Sequence, residues 1–259
     1  MSHDAATSDL DDINIIQTYT QTQAPGSLAS QLDCGARAFD YRPYLQKDNV
    51  LIAHHGGIKV KTNMKDSVKG VIDWLQRAEN SEELVLLYIS HCEADGDNDT
   101  KGSRCEQSSA ELLKQLGIYT LTDCTPLVDL SVDTVKESGR LLNGGSIIAI
   151  FNCVNENYVD SVNCWGFHDK REYSCYGKHK EVAWDSFKTY LNDTSGPSST
   201  SNDNLWMLQA HWQSTSTSIS LGDLHLSSVL KDESKAGVNA WLANTIRIRE
   251  LPYEKLNLI

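Results

Sequence analysis

Uninterrupted apolar runs constrain this chain more than any other feature. Val-Leu-Ile-Ala at 50–53, Leu-Val-Leu-Leu-Tyr-Ile at 84–89 and Ile-Ile-Ala-Ile-Phe at 147–151 are short, and none alternates apolar with polar residues. A strand that is apolar on both faces needs cover on both faces, and a parallel sheet flanked by crossover helices supplies it. Strands are therefore expected at 50–54, 84–90 and 146–153, joined by 37–41, 205–211 and the terminal 256–259. Between them Val68, Val71, Ile72 and Leu75 fall on one face of a helix, and 110–116, 182–191 and 236–248 read as further helices. Residues 94–101 and 194–204 are rich in Gly, Ser, Asp and Asn and read as loops. The aperiodic, cysteine-bearing stretch 154–180 reads as a surface excursion, with a tie between Cys164 and Cys175 as one option. Strands alternating with helices over 259 residues fit one domain spanning 1–259. An open α/β sheet and a (β/α)8 barrel both satisfy the pattern, and the number of strands favours the barrel.

Composition narrows the function classes. Apolar residues make up 40% of the chain and charged residues 22%, as in an ordinary globular protein, and no run approaches a membrane span. A formal net charge of −12 argues against a nucleic-acid partner, which requires clustered Lys and Arg. The chain has seven cysteines, no CxxC pair and no spacing that matches a zinc site, so no metal cluster is expected. Asn98-Asp-Thr and Asn192-Asp-Thr are N-glycosylation sequons. Cysteines and sequons together point to an oxidising, extracellular or secretory setting. No signal peptide opens the chain, so that setting carries the expectation of a longer natural N-terminus.

Two stretches carry candidate chemistry. In Gly-Ala-Arg-Ala-Phe-Asp-Tyr-Arg (35–42) a strand delivers Asp40 and Arg42 to the same face, because residues two apart in a strand point the same way. In Val-Leu-Ile-Ala-His-His-Gly-Gly (50–57) an apolar strand runs into His54, His55 and two glycines. Polar residues at the C-terminal ends of barrel strands are where active sites are built. Asp40 and Arg42 are also readable as a structural ion pair, and histidines before glycines as turn residues. Likewise the opening Met-Ser-His-Asp-Ala-Ala-Thr is readable as a loose tail or as a loop bearing His3 and Asp4.

Taken together, His-Asp-Ala-Ala-Thr (3–7), Gly-Ala-Arg-Ala-Phe-Asp-Tyr-Arg (35–42) and His-His-Gly (54–56) resemble the X-type catalytic domain of phosphatidylinositol-specific phospholipase C. Residues 17–32 with Ser-Leu-x-x-Gln-Leu, 82–90, 206–213 and 240–253 are similar to the family as well. The resemblance implies a TIM-type (β/α)8 barrel and a phosphoric diester hydrolase acting on a phosphoinositide-like membrane phospholipid through peripheral contact. It implies His3 as the base for the inositol 2-hydroxyl and His55 as the acid for the departing alkoxide, with Asp4 holding the charged form of His55. It implies Arg42 on the phosphate oxygens, oriented by Asp40. An exchange of roles between His54 and His55 stays open. The calcium-dependent branch of the family carries a carboxylate where Arg42 stands, so the resemblance implies no cofactor and no metal, as in the bacterial branch.

This sequence departs from the bacterial pattern in three places. Ser90-His91 replaces a headgroup-binding lysine, and Phe151-Asn152-Cys153 replaces an arginine. His91, Asn152 and Gln209 are the candidates for an altered substrate-binding pocket, with a structural polar role as the alternative for each. The ends differ too: the family's first strand and the aspartate of its last strand are missing from 1–259. The barrel is therefore expected to lack its first strand and part of its last, as a fragment of a longer secreted protein would. A catalytically inactive X-domain that binds lipid headgroups or a protein is the competing function. A glycerophosphodiester-cleaving barrel would need a calcium-binding carboxylate set and an early His-Arg pair, and neither is visible. Oligomeric state is not legible.

Overall fold

The computed structural model describes residues 5–10, 23, 26–96, 103–123, 127, 130–151, 154–156, 205–207 and 238–247. The expected elements at 182–191, 194–204, 208–211 and 256–259, and nearly all of the 154–180 excursion, lie outside them. The chain divides into two compact units: Met1–Asp12, Thr22–Val154 and Asn202–Leu205 form the first, and Ile13–Gln21, Asn155–Ser201 and Trp206–Ile259 the second.

A parallel sheet organises the first unit. Its strands are β1 (Ala38–Tyr41), β5 (Leu84–Ile89), β7 (Tyr119–Leu121) and β8 (Ser146–Phe151), in the order β1-β5-β8-β7. Ala38 pairs with Leu86 and Leu84 with Ser146, all in parallel register. Every residue of β8 is buried, which is what its unbroken apolar run demands. In a regular barrel each new strand would settle beside its predecessor. Here β7 precedes β8 in the chain but covers its outer edge, leaving β5 and β8 in direct contact.

The run at 50–54 takes a different place from the one expected. It forms β3 (Leu51–His55) in a second sheet of order β4-β3-β2-β6, with β2 (Pro43–Leu45), β4 (Ile58–Asn63) and β6 (Glu93–Ala94). The cause is connection length. A parallel neighbour needs a crossover of about a dozen residues, whereas β2 and β3 are joined by 46–50. There Asn49 turns at φ 62 and its amide donates to the Gln46 carbonyl at 2.9 Å. Gly56 (φ 55) and Gly57 then reverse the chain again, pairing His55 with Ile58 in an antiparallel hairpin. A two-residue turn of this kind requires a left-handed residue, which glycine supplies without steric cost.

Helices and turns pack against these sheets. In α2 (Met64–Leu75) Asn63 caps the N-terminus by accepting from the Lys65 amide at 2.8 Å, and Met64, Val68, Val71 and Leu75 are buried. Each such aliphatic side chain contributes about 1.5–3 kcal/mol by leaving water. The preceding α1 (Leu28–Asp33) is fastened to it where Trp74 Nε1 donates to Asp33 Oδ1 at 2.7 Å. The short 3-10 turn Ala5–Asp9 is no loose tail. Ala5, Ala6, Thr7 and Ser8 are buried, and Gln31 Nε2 donates to the Ala5 carbonyl at 2.8 Å and to Ser8 Oγ at 3.0 Å. Further along the first unit are α3 (Ser103–Gln115) and α4 (Val132–Ser138). Below the sheet, Arg37 holds Glu83 through Nε to Oε2 at 2.8 Å and Nη2 to Oε1 at 2.9 Å. Those hydrogen bonds hold the Glu83 carboxyl below its ordinary range.

The turn entering β8 tolerates no side chain. A Cβ on Gly145 would lie 2.7 Å from the carbonyl oxygens of both Asn80 and Glu83. Gly145→Ala is expected to destabilise the protein by about 1–3 kcal/mol, because overpacked backbone must shift. The reading is a lower urea midpoint at unchanged slope.

In addition, β9 (Val154–Glu156) pairs with β10 (Leu205–Met207) in a two-stranded sheet, and α5 (Val238–Arg247) buries Leu242. Among the described residues no helix is long and apolar enough to cross a membrane.

Candidate active site

The C-terminal end of β1 and the adjacent end of β5 bring a charged cluster together. Asp40 faces inward on β1, paired in register with Tyr88, and only 3% of its surface is exposed. A buried carboxylate needs partners on both oxygens, and Asp40 has them. Arg42 donates to Oδ2 from Nε at 3.1 Å and from Nη2 at 3.0 Å, and Ser90 Oγ donates to Oδ1 at 2.5 Å. Ser90 is placed for this by the sheet itself, since its amide continues the β1–β5 ladder by donating to the Tyr41 carbonyl at 3.1 Å. The guanidinium of Arg42 is mostly buried, with 14% of its side chain exposed. Asp40 therefore fixes the plane of the guanidinium at the strand end.

The second sheet carries the two histidines to this same region. Its ladder is stitched to the first sheet at Arg42, whose carbonyl accepts from the His54 amide at 2.9 Å. The two rings then differ. His54 is buried, and each ring nitrogen faces a backbone carbonyl oxygen: Nδ1 lies 3.1 Å from that of Gly56 and Nε2 2.7 Å from that of His91. His55, the last residue of β3, is half-exposed. A proton donor must reach its substrate, so the accessible ring is the better placed of the two.

Beyond β5 the chain turns sharply. His91 is exposed and sits at φ 45, a conformation uncommon outside glycine and concentrated at functional sites. The turn is clasped by a disulfide between Cys92 and Cys105, with 5.6 Å between the Cα atoms, linking it to the first turns of α3. At its rim Tyr44 donates to Asp95 Oδ1 at 2.7 Å, and Lys59 lies 3.8 Å from the Tyr44 ring centroid and 3.3 Å from the same oxygen. Tyr44 and Lys59 hold the Asp95 carboxyl below its ordinary range, the tyrosine hydrogen bond foremost. Opening the disulfide with Cys105→Ser is expected to cost about 2–3 kcal/mol, because the enclosed loop regains freedom when unfolded. Urea titrations with and without reductant check this: reductant lowers the midpoint of the parent protein by more than that of the variant.

Of the residues singled out from sequence, Asp40, Arg42, His55 and His91 lie in the first unit at the strand ends described above. His3, Asp4, Asn152 and Gln209 lie outside the described residues. In the sequence Ser90 marks only the place of an absent lysine, whereas in the structure it is the second partner of Asp40. The signal for it was available: a hydroxyl residue directly after a buried strand that lies beside β1. The pairing of Cys92 with Cys105 had no comparable signal, since cysteine connectivity does not follow from spacing. Among the described residues no group of three or more His, Cys, Asp and Glu side chains is arranged to hold a metal ion.

No family model and no curated protein matches the chain. Solved structures do. A pentafluorophenylalanine-containing phosphatidylinositol-specific phospholipase C from Staphylococcus aureus aligns over 100% of this chain and 83% of its own, at 17% identity and a TM-score of 0.58. A double-substitution variant of that enzyme aligns over the same shares at 15% identity and a TM-score of 0.58. A single-substitution variant aligns over 96% of this chain and 79% of its own, at 15% identity and a TM-score of 0.55. This chain accordingly has the α/β fold, of TIM-barrel type, of the bacterial phosphatidylinositol-specific phospholipases C.

Proposed function

We propose that the protein is a phosphoric diester hydrolase of the phospholipase C type, acting on a phosphoinositide-like membrane lipid. The observation that carries this reading is the Asp40–Arg42–Ser90 cluster at the strand ends of the phospholipase C fold. It holds a guanidinium in one orientation, and β3, tied to Arg42 through the His54 amide, ends in the half-exposed His55. A planar cation so fixed suits the non-bridging oxygens of a phosphodiester, where charge grows as a pentacoordinate transition state forms.

In the proposed reaction the inositol 2-hydroxyl oxygen attacks phosphorus and its proton passes to His3. The bond from phosphorus to the glycerol oxygen breaks, and that oxygen takes a proton from His55, whose charged form Asp4 holds. The products are a cyclic phosphodiester and diacylglycerol. Histidine suits both roles because its two protonation states are accessible near neutral pH. Arg42 stands where a calcium-dependent relative would place a metal-binding carboxylate, so the reaction is proposed to proceed without a metal. His91, Asn152 and Gln209 are proposed to contact the headgroup. The disulfide and the sequons at Asn98 and Asn192 support an extracellular or secretory location with glycosylation.

The deciding experiment is cleavage of phosphatidylinositol vesicles in the presence of chelator, with His55→Ala alongside the parent. The parent is expected to release diacylglycerol with chelator present. The variant is expected to lose about 10²–10⁴-fold in kcat, the span general acid catalysis covers. Equal turnover by the variant would remove the acid assignment, and abolition by chelator would remove the metal-free mechanism. If no phosphoinositide is cleaved at all while headgroup binding persists, the protein is a binding module.

A further inference from the structure

We propose that His54 is a positioning residue whose ring, set between two backbone carbonyls, holds the phosphate-binding and proton-donating halves of the site in fixed relation. The inference rests on the function proposed above and adds a residue that function does not use.

The geometry comes from three bonds made by one residue. The His54 amide donates to the Arg42 carbonyl at 2.9 Å. On the ring, Nδ1 lies 3.1 Å from the Gly56 carbonyl oxygen and Nε2 2.7 Å from the His91 carbonyl oxygen. These carbonyls belong to three segments: the end of β1 with Arg42, the hairpin turn that follows His55, and the turn after β5 that follows Ser90. One ring thus spans the gap between two of these segments while its own amide engages the third.

The surroundings agree with a bridge. The His54 side chain is 2% exposed, so water does not compete for either nitrogen, and Glu93 Oε2 lies 3.8 Å from Nδ1 on the same edge. The ring of Tyr44 stands edge-on to that of His54, with 5.6 Å between centroids, and Tyr44 is in turn braced by Lys59 and Asp95. His91 adopts its φ of 45 on the other side of the bridge, where its carbonyl receives Nε2. A left-handed non-glycine residue persists only where its surroundings hold it, and the His54 bond is one such hold. The same burial keeps His54 from the substrate, so its effect on the reaction runs through Arg42, His55 and the Ser90–Asp40 bond.

The test uses the full chain and two substrates. One is phosphatidylinositol in mixed micelles, and the other is an inositol phosphodiester with a nitrophenolate leaving group, which departs without a proton donor. His54→Ala is expected to lower kcat on both by about 30- to 300-fold, the scale of a displacement near 1 Å, with KM little changed. Added imidazole is expected to restore turnover by refilling the gap between the two carbonyls. 1-Methylimidazole, whose methyl group keeps one ring nitrogen from a carbonyl, is expected to fail. A loss confined to the lipid substrate would make His54 the proton donor and overturn the proposal, as would unchanged kcat. If His54→Ala does not fold, His54→Gln takes its place, with a smaller loss expected on both substrates. A parent protein inert on both substrates would sink the proposed function itself. An active parent with an unaffected variant would sink only the role of His54.

Discussion

On the proposed function, Arg42→Lys is expected to lower kcat on phosphatidylinositol by about 10²–10³-fold, the range seen when a fixed transition-state donor is removed, while KM and the thermal midpoint change little. Lysine keeps the charge, so a loss of this size isolates geometry from electrostatics. The guanidinium reaches Asp40 Oδ2 through both Nε and Nη2, and that pair of bonds sets its plane. A single ammonium cannot be oriented in this way. Steady-state kinetics on micellar substrate, read beside a thermal melt, check the result. Arg42→Ala goes further, because it strands a carboxylate that is 3% exposed. Breaking a buried pair from one side costs about 3–5 kcal/mol, so this variant is expected to lose stability together with activity. Equal activity in the lysine variant and the parent would remove Arg42 from the phosphate site.

Asp40→Asn is the second large effect. The amide oxygen still accepts from Arg42, and the new N–H group meets Ser90 Oγ, which turns to accept. The hydrogen-bond pattern is thus largely kept and the negative charge is lost. A charge-assisted hydrogen bond is about twice as strong as a neutral one, so the guanidinium becomes free to tilt. The expected outcome is a loss of about 10–100-fold in kcat, the scale of a slight misplacement of a binding group. Destabilisation of about 1–3 kcal/mol accompanies it. Ser90→Ala removes only the bond to Oδ1 and is expected to cost less on both measures. Double-mutant analysis of Arg42→Lys with Asp40→Asn is expected to be strongly non-additive, since both act through one guanidinium.

The parallel sheet was legible because burial on both faces leaves continuous apolar runs, and 84–89 and 146–151 carry such runs almost to the residue. The antiparallel sheet was harder to read. β4 alternates in Ile-Lys-Val-Lys-Thr-Asn, a period-two pattern, while β2, β6 and β7 are two or three residues long and too short to show any period. The apolar run of β3 suits a barrel strand, but its five-residue approach and its Gly-Gly exit require hairpins. Within the site, the Asp40–Arg42 pairing followed from strand geometry alone. The engagement of His54 did not, because it depends on where the chain after β5 places its carbonyl, and the left-handed turn at His91 has no glycine to announce it.

The hairpin of β3 and β4 has a consequence for how this protein can vary. Gly56 and Gly57 act as a ruler: they fix how many residues separate His54, whose amide donates to the Arg42 carbonyl, from the outward return of the chain. One residue inserted there would shift the strand register by one and turn every following side chain to the opposite face. Substitution at the exposed Lys61 leaves that count untouched. A side chain such as that of Lys61 can therefore be exchanged on the exterior of this hairpin, while a change in its length cannot be absorbed without re-pairing the strands.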